Sequence, residues 1–555
     1  MRPTPAQVER YRERRWWVEQ TLSDVVAAQA SRHPDRPAYV ADGRELRWRQ
    51  YDQQATQLAA RLTATGLRPG ARVAVLLPDG PETHIAYLAC ERAGLVIVGI
   101  PARAGYRELT HLLTRTGAEM LICAPSHGGQ SATELMLAVR EDVAGLRWQV
   151  EFSATRLDFY QWAGNRRELM ADERAPAVGP GIRPDELWLL NSTSGTTGLP
   201  KCVRQTQNRW RYLLGFAVDG GELTSGDVLM SLVPSPFGFG LWSAHFAPAV
   251  LGVPCVLQPR FDAGAALRLA AEHRVTVLAC VATQFQMMLG SAVLDEVDLS
   301  ALRVLYTGGE NVPPAKARDW ERRTGSTVLQ FYGSNEIGPF SCTTLRDTDE
   351  RRLGTVGRLV DGLDCRLYDD AGAQLPRSAG PGQPAALSPG VWGGGYYDDD
   401  EANGQLFTAD GYLLMPDLVT IDEAGYVRIA GRKSDIIIRG GKNLSAASIE
   451  SDVQAHPAIG LAAAIPVPDE IFGERVCAVV SLEAGSAGLD LADLVDFLSQ
   501  RGVSKEYFPE YLVVLDELPQ SMGGKVDKRA LRERIPELLA ANSTPNARHS
   551  EQSGE

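Results

Sequence analysis

The sequence predicts an α/β protein. It reads as a large N-terminal domain of layered α/β subdomains carrying a small β-barrel-like subdomain, followed by a small α+β C-terminal domain. Three observations carry this reading. The chain has 555 residues, beyond the size at which one core stops growing, so at least two domains are expected. Short continuous apolar runs alternate with amphipathic segments through the first 350 residues. Glycine and proline then cluster over 378–395, and the α/β pattern resumes beyond Gly431-Arg432.

Taken in order, 72–77 (RVAVLL) is a buried strand closed by the turn residues Pro78-Asp79-Gly80. A helix follows over 82–92 and a second strand near 95–100. The pattern returns as a helix at 265–273 and strands at 275–280, 302–306 and 327–331. Continuously apolar strands between helices indicate mostly parallel sheet, buried on both faces. The segment after 378 reads as a turn-rich β subdomain. Beyond it, strand-like runs at 476–482 and 511–515 belong to a compact unit of ordinary domain size. The expected division is 1–431, 432–540 and a polar tail, 541–555, too poor in apolar residues to order.

The bulk numbers exclude several classes. Hydrophobic residues are 44% and charged residues 23%, ordinary for a folded globular chain. The formal charge of −13 argues against sequence-independent nucleic-acid binding, which needs a basic surface, but not against a nucleotide held by local positive charge. The eight cysteines, Cys90, Cys123, Cys202, Cys255, Cys280, Cys342, Cys365 and Cys477, form no metal-type pair and are too sparse for a disulfide scaffold. They read as reduced thiols of a cytoplasmic protein. The N-terminal stretch lacks the apolar core of a secretory signal, and no run of 18 apolar residues offers a membrane span.

The strongest local signal is Ser192-Thr193-Ser194-Gly195-Thr196-Thr197-Gly198-Leu199-Pro200-Lys201, reached by a strand at 187–190. Glycines let backbone N–H groups approach a phosphate, hydroxyls add neutral donors and Lys201 adds charge. The glycine spacing is not that of a Walker loop, and neither G-x-G-x-x-G nor G-x-S-x-G occurs, so a dinucleotide dehydrogenase and a nucleophile-elbow hydrolase are both poorly supported. Further on stand Gly308-Gly309-Glu310 at a strand end, Tyr332-Gly333-Ser334-Asn335-Glu336, and Met415-Pro416-Asp417. Gly431-Arg432-Lys433-Ser434-Asp435 leads to Arg439-Gly440-Gly441-Lys442, and Gly523-Gly524-Lys525 lies near the C-terminus.

Together and in this order, these motifs resemble those of the adenylate-forming superfamily: acyl-CoA synthetases, adenylation domains of peptide synthetases and firefly luciferase. The resemblance runs from about residue 22 to about 535. It implies ATP with Mg²⁺ as cofactor, coenzyme A as cosubstrate, and a C-terminal domain that is mobile, rotating between half-reactions. It implies ATP contacts from Ser192, Thr193, Ser194, Gly195, Thr196, Thr197, Gly198, Lys201, Gly309, Glu310, Tyr332, Gly333, Ser334, Asn335, Asp417 and Arg432. Glu336 would hold Mg²⁺, Asp417 and Arg432 the ribose, and Ser434 would be the hinge. Gly440, Gly441 and Lys442 would face the thiol channel. Lys525, with Glu336 and Lys201, would be catalytic, its ammonium bridging the attacking carboxylate and the α-phosphate. The chain departs from the pattern at Asn335, where threonine is usual, at Met415-Pro416, where Thr-Gly usually precedes the aspartate, and at Phe237, where histidine is often found.

The acyl pocket is expected at 234–242 (PSPFGFGLW), with Phe237, Phe239 and Gly308 binding the acid and Trp242 beside them. Aromatic side chains among glycines suggest a flat apolar cavity, fitting an aromatic or alicyclic ring better than a long chain; plain core packing of those rings is the alternative. The stretch 11–22 (YRERRWWVEQTL) resembles the start of aryl-acid adenylating enzymes and cyclohexanecarboxylate-type CoA ligases, or is an amphipathic N-terminal helix. Three functions stay open at this point: a ligase joining such an acid to coenzyme A, an adenylation enzyme loading an acyl carrier protein, and a non-catalytic nucleotide or acyl binder. Arg439, Lys442, Arg475 and Lys505 are candidates for the basic patch that the 3′-phosphate of coenzyme A requires.

Overall fold

The computed structural model describes residues 3–171, 179–192, 200–310, 312–369, 371–432, 436–439, 442–469, 472–483, 485–486, 488–521 and 524–542. Two large sheets dominate the N-terminal part. One has nine strands in the order Arg358–Leu359, Gly338–Cys342, Thr327–Ser334, Val304–Gly308, Val277–Ala279, Leu229–Ser231, Cys255–Leu257, Pro37–Ala41, Arg44–Arg47. Its six inner strands, from Thr327–Ser334 to Pro37–Ala41, pair in parallel. The second has eight, in the order Arg166–Leu169, Arg156–Ala163, Trp148–Ser153, Met120–Cys123, Arg72–Leu76, Val96–Gly99, Leu189–Ser192, Cys202–Gln205, with five parallel strands inside. Helices cover both sheets, as the continuous apolar strands require. The helices Pro81–Arg92 and Ala263–Glu272 lie within a residue or two of their expected bounds.

The glycine- and proline-rich stretch forms small antiparallel sheets. Four strands run Gln374–Leu375, Asp364–Tyr368, Gln383–Leu387, Leu413–Leu414, and a ribbon pairs Asp417–Ile421 with Val427–Arg432. The C-terminal unit is a five-stranded sheet with helices Ala446–Gln454, Leu491–Gln500 and Lys528–Asn542. It has its own core, in which Ile437, Val476 and Leu494 meet on one face and Val479, Leu531 and Ile535 on the other. Lys316 Nζ ties the two units together, donating to Ile459 O at 3.0 Å and Glu483 Oε1 at 2.6 Å.

The N-terminal stretch is not one helix across 11–22. A helix spans Pro5–Glu13, and Arg15 then takes φ +56° while the Tyr11 carbonyl accepts from both Trp16 and Trp17 N–H. The chain becomes a strap whose Trp17 Nε1 donates to Pro389 O and whose Tyr11 hydroxyl accepts from Trp392 Nε1. All eight cysteines are buried and unpaired. Among the described residues no helix is long and apolar enough to cross a membrane. The tail beyond 542 lies outside the described residues.

Candidate active site

Three parallel strands deliver the central motifs. Leu189–Ser192 runs into the hydroxyl-rich loop, Val304–Gly308 ends at Gly309-Glu310, and Thr327–Ser334 ends at Asn335-Glu336. Carboxyl ends of parallel strands are where open α/β sheets place ligands, because the connections diverge there. A cavity of about 1040 Å³ opens between the ends of the second and third of these strands and the C-terminal unit; Gly309, Tyr332, Asp417 and Lys525 line it, whereas Phe237, Phe239 and Gly308 do not.

Lys525 is carried by a loop in which Gly524 takes φ +79°. Its Nζ donates to Gly309 O at 2.7 Å, and Gly309 itself has φ +77°. The left-handed backbone favours glycine at 309, and a Cβ there would stand 2.9 Å from that ammonium, which would have to shift. The sequence-distant Gly-Lys pair and Gly-Gly-Glu turn thus meet at one point.

Tyr332 and Asp417, both nearly buried, are joined by the Tyr332 hydroxyl donating to Asp417 Oδ2 at 2.8 Å. Asp417 opens its strand directly across from Arg432. Met415 explains the lost Thr-Gly: it is 1% exposed and packs in the core with Tyr332, Ile337 and Phe340. Pro416 precedes the ribbon, where a missing N–H removes no ladder bond.

Glu336 Oε1 accepts from the Tyr396 hydroxyl at 2.9 Å, and Lys201 Nζ lies 4.7 Å from the centre of the same ring. Tyr396 therefore holds an anion by its hydroxyl and a cation by its face. Ser334 Oγ accepts from Glu336 and Ile337 N–H, fixing the turn. Behind it, buried Arg209 donates to the Asn335 and Glu336 carbonyls at 2.9 and 2.7 Å, and burial pushes its guanidinium down to about 10. Asn335 Oδ1 accepts from Gly238 N–H at 3.1 Å and Asn191 Nδ2 at 3.2 Å. Gln205 Nε2 closes the ring by donating to Asn191 Oδ1 and Asn335 O.

The acyl segment folds as a short helical stretch, Gly238–Gly240 continuing into a π-helical turn, Leu241–Phe246. Phe237 packs with Val233, Val281 and Phe239. Trp242 is 1% exposed and stacks edge-on to Phe239 and Tyr306, so it is a core residue. A Cβ at Gly308 would fall 2.3 Å from Phe331 O and 3.4 Å from Phe239, so the segment packs closely against that strand end. Beneath this segment, buried Asp79 accepts from Ser235 N–H at 3.1 Å and Ser235 Oγ at 2.6 Å; burial pushes its carboxyl up to about 6.

Two expectations meet other partners. Both oxygens of Glu310 are engaged by Thr283 N–H and Oγ1, capping the helix Ala282–Leu289. Two members of the proposed basic patch carry ion pairs, Arg439 with Glu510 at 2.6 Å and Arg475 with Asp469 at 2.5 Å, and Lys505 opens a separate short turn. Ser192 is buried at a strand end, and among the described residues its Oγ has no partner. Thr193, Ser194, Gly195, Thr196, Thr197, Gly198, Ser434, Gly440 and Gly441 lie outside the described residues, as do the side chains of Arg432 and Lys442. Tyr396, Arg209, Asn191 and Gln205 were not legible as site residues. The one local signal was that Asn191, Gln205 and Arg209 are polar or charged residues flanking the loop in sequence.

A family model described as AMP-binding enzyme matches residues 26–394, and one described as AMP-binding enzyme C-terminal domain matches 448–525. The chain is 32% identical to the medium-chain fatty-acid–CoA ligase of Escherichia coli (strain K12), covering 95% of this chain and 93% of the relative. It is 30% identical to the 2,3-dihydroxybenzoate-AMP ligase of Bacillus subtilis (strain 168), covering 96% and 97%. An anthranilate–CoA ligase solved with anthranoyl-AMP shares its fold, with a TM-score of 0.81 at 23% identity over 95% of this chain and 98% of that one. The chain belongs to the family of AMP-binding enzymes.

Proposed function

We propose that this AMP-forming acid–CoA ligase takes an acid whose carboxyl is borne on an aromatic or alicyclic ring. The observation that carries the adenylating assignment is Lys525 seated on Gly309 O at the head of a cavity that also holds Tyr332 and Asp417. There its ammonium meets the developing charge as a carboxylate oxygen bonds to the α-phosphorus and pyrophosphate leaves. The thiol sulfur of coenzyme A then bonds to the acyl carbon and AMP departs. Asp417, oriented by Tyr332, would accept from the ribose hydroxyls, as two adjacent O–H donors suit a carboxylate. Ser192 Oγ, buried and unpartnered among the described residues, fits a phosphate oxygen as a neutral donor.

Glu336 suits Mg²⁺: it is an oxygen donor with one oxygen held by Tyr396, leaving Oε2 without a protein partner among the described residues. When bound, the ion would neutralise triphosphate charge. The ring preference is supported by the aromatic pair Phe237 and Phe239, which pack together in the segment expected to meet the acid, and by a relative named for a benzoate. The ion pairs at Arg439 and Arg475 favour one second reading, a carrier-protein pantetheine as acceptor, which lacks the 3′-phosphate.

The test is ATP–pyrophosphate exchange over benzoic, naphthoic, alicyclic, medium-chain fatty and amino acids, repeated with coenzyme A for thioester. Exchange with ring acids and thioester formation is the expected result. Preference for the fatty acids would overturn the ring assignment, and exchange without thioester would move the acceptor to a carrier protein.

A further inference from the structure

We infer that Asn335 is a specificity-determining residue: its side-chain oxygen caps the helical stretch that carries the acyl wall, and so sets where Phe237 and Phe239 meet the acid. This rests on the acid-activating reading above. The first N–H groups of a helix have no partner inside it, so something outside must accept from them. Gly238 N–H opens the stretch Gly238–Gly240, and Asn335 Oδ1 accepts from it at 3.1 Å, although the two residues are 97 apart in sequence. Phe237 immediately precedes this bond and Phe239 immediately follows it.

The amide is fixed in orientation. A backbone N–H can only donate, so the atom facing Gly238 is the oxygen, and the same oxygen accepts from Asn191 Nδ2. Asn191 is held by Gln205, Gln205 donates back to Asn335 O, and Arg209 holds that carbonyl from behind. These bonds fix the position of the Asn335 oxygen, which the side chain passes on to whatever it holds. Gly238 matches it: a Cβ there would stand 2.5 Å from Asn335 Oδ1 and 2.5 Å from the Trp210 ring. The wall is therefore seated against Asn335 on one side and Trp210 on the other, with no slack for a larger residue.

Side-chain length decides the contact. A threonine oxygen sits on Cβ, one bond nearer the backbone, and would retreat by about 1 Å, out of hydrogen-bonding range of Gly238. Aspartate keeps an oxygen at the same place. Asn335→Thr and Asn335→Asp thus separate the cap from any contact of Asn335 with the nucleotide.

The experiment compares wild type, Asn335→Thr and Asn335→Asp by amide hydrogen exchange of the peptide covering 236–242, and by kcat/KM for benzoic, cyclohexanecarboxylic and octanoic acids. Asn335→Thr is expected to lose protection in that peptide, raise the KM of the best ring acid roughly 10-fold and narrow the preference for rings. Asn335→Asp is expected to retain protection and acid ranking even where its added charge raises the KM of ATP. Unchanged exchange in Asn335→Thr would overturn the cap. Lost protection with an unchanged acid ranking would overturn the specificity role, as would a threonine variant altered only in ATP. The exchange measurement needs no turnover, so it decides the cap even if the activation reading itself fails.

Discussion

Replacing Lys525 by alanine tests the centre of the site. The ammonium makes a 2.7 Å bond to Gly309 O, and the space around it is set by a glycine whose Cβ would approach to 2.9 Å. Removing one preorganised donor from a position where charge develops costs about 10²–10³-fold in kcat, or roughly 3–4 kcal/mol. The same bond contributes little to folding: Lys525 is half-buried on a loop, and losing one charged hydrogen bond to a carbonyl costs about 1.5 kcal/mol. Lys525→Ala is thus expected to lower ATP–pyrophosphate exchange about 10²-fold or more while Tm falls by no more than about 4 °C. Arginine should not rescue it, because a planar guanidinium is broader than the ammonium that fits against Gly309. Exchange is measured with the best acid of the panel, at saturating ATP and acid. A folded Lys525→Ala protein with near-normal exchange would refute the reasoning, since the contact with Gly309 would then be a resting place and not a catalytic one.

Three further perturbations follow from the geometry. Asp417→Asn removes the charge that Tyr332 orients, and should raise the KM of ATP about 10-fold or more while leaving that of the acid unchanged in steady-state kinetics. Tyr396→Phe deletes the 2.9 Å bond to Glu336 but keeps the ring beside Lys201, so the KM of MgATP should rise about 3–10-fold; Tyr396→Leu, losing the ring as well, should exceed it. Asp79 has its carboxyl raised by burial from 3.8 to about 6, so the folded state binds its proton more tightly than the unfolded chain. Stability therefore falls as pH rises from about 4 to about 6 and stays lowered above, by on the order of 3 kcal/mol. Asp79→Asn keeps an oxygen for both Ser235 bonds without the charge, so its Tm relative to wild type should be higher at pH 7.5 than at pH 4.5; an equal difference at both would refute this.

The layers and the motif-bearing strand ends were legible because their signals are local. A continuous apolar run predicts a buried parallel strand wherever it occurs, and a glycine-rich turn after it predicts a loop at the carboxyl edge. The residues that hold the motifs were not legible, because their meaning lies in distant partners. Tyr396 acquires its role from Glu336, 60 residues away, Asn191 from Asn335, 144 away, and Asp79 from Ser235, 156 away. The N-terminal aromatic stretch misled for the same reason. Its amphipathic pattern suits a helix, yet Trp392 and Pro389, nearly 400 residues on, hold it as a strap.

The departures from the family pattern at 415–416 and at 335 carry different weight once their surroundings are known. At 415–416 the unusual residues are absorbed by the fold. Met415 turns into a core shared with Tyr332, Pro416 interrupts no ladder, and Asp417 still opens its strand across from Arg432 with its carboxylate held by Tyr332. The aspartate is placed by its neighbour across the sheet rather than by the two side chains before it, so their replacement is weak evidence for a binder without turnover. Asn335 is the opposite case. It touches the acyl segment, the strand entering the phosphate loop and, through Arg209, the backbone of Glu336, so a change there reaches three parts of the site at once. Lys525 seated on Gly309 fits an enzyme whose adenylating chemistry is retained, and the proposed role of Asn335 puts the departure there on the choice of acid rather than on that chemistry.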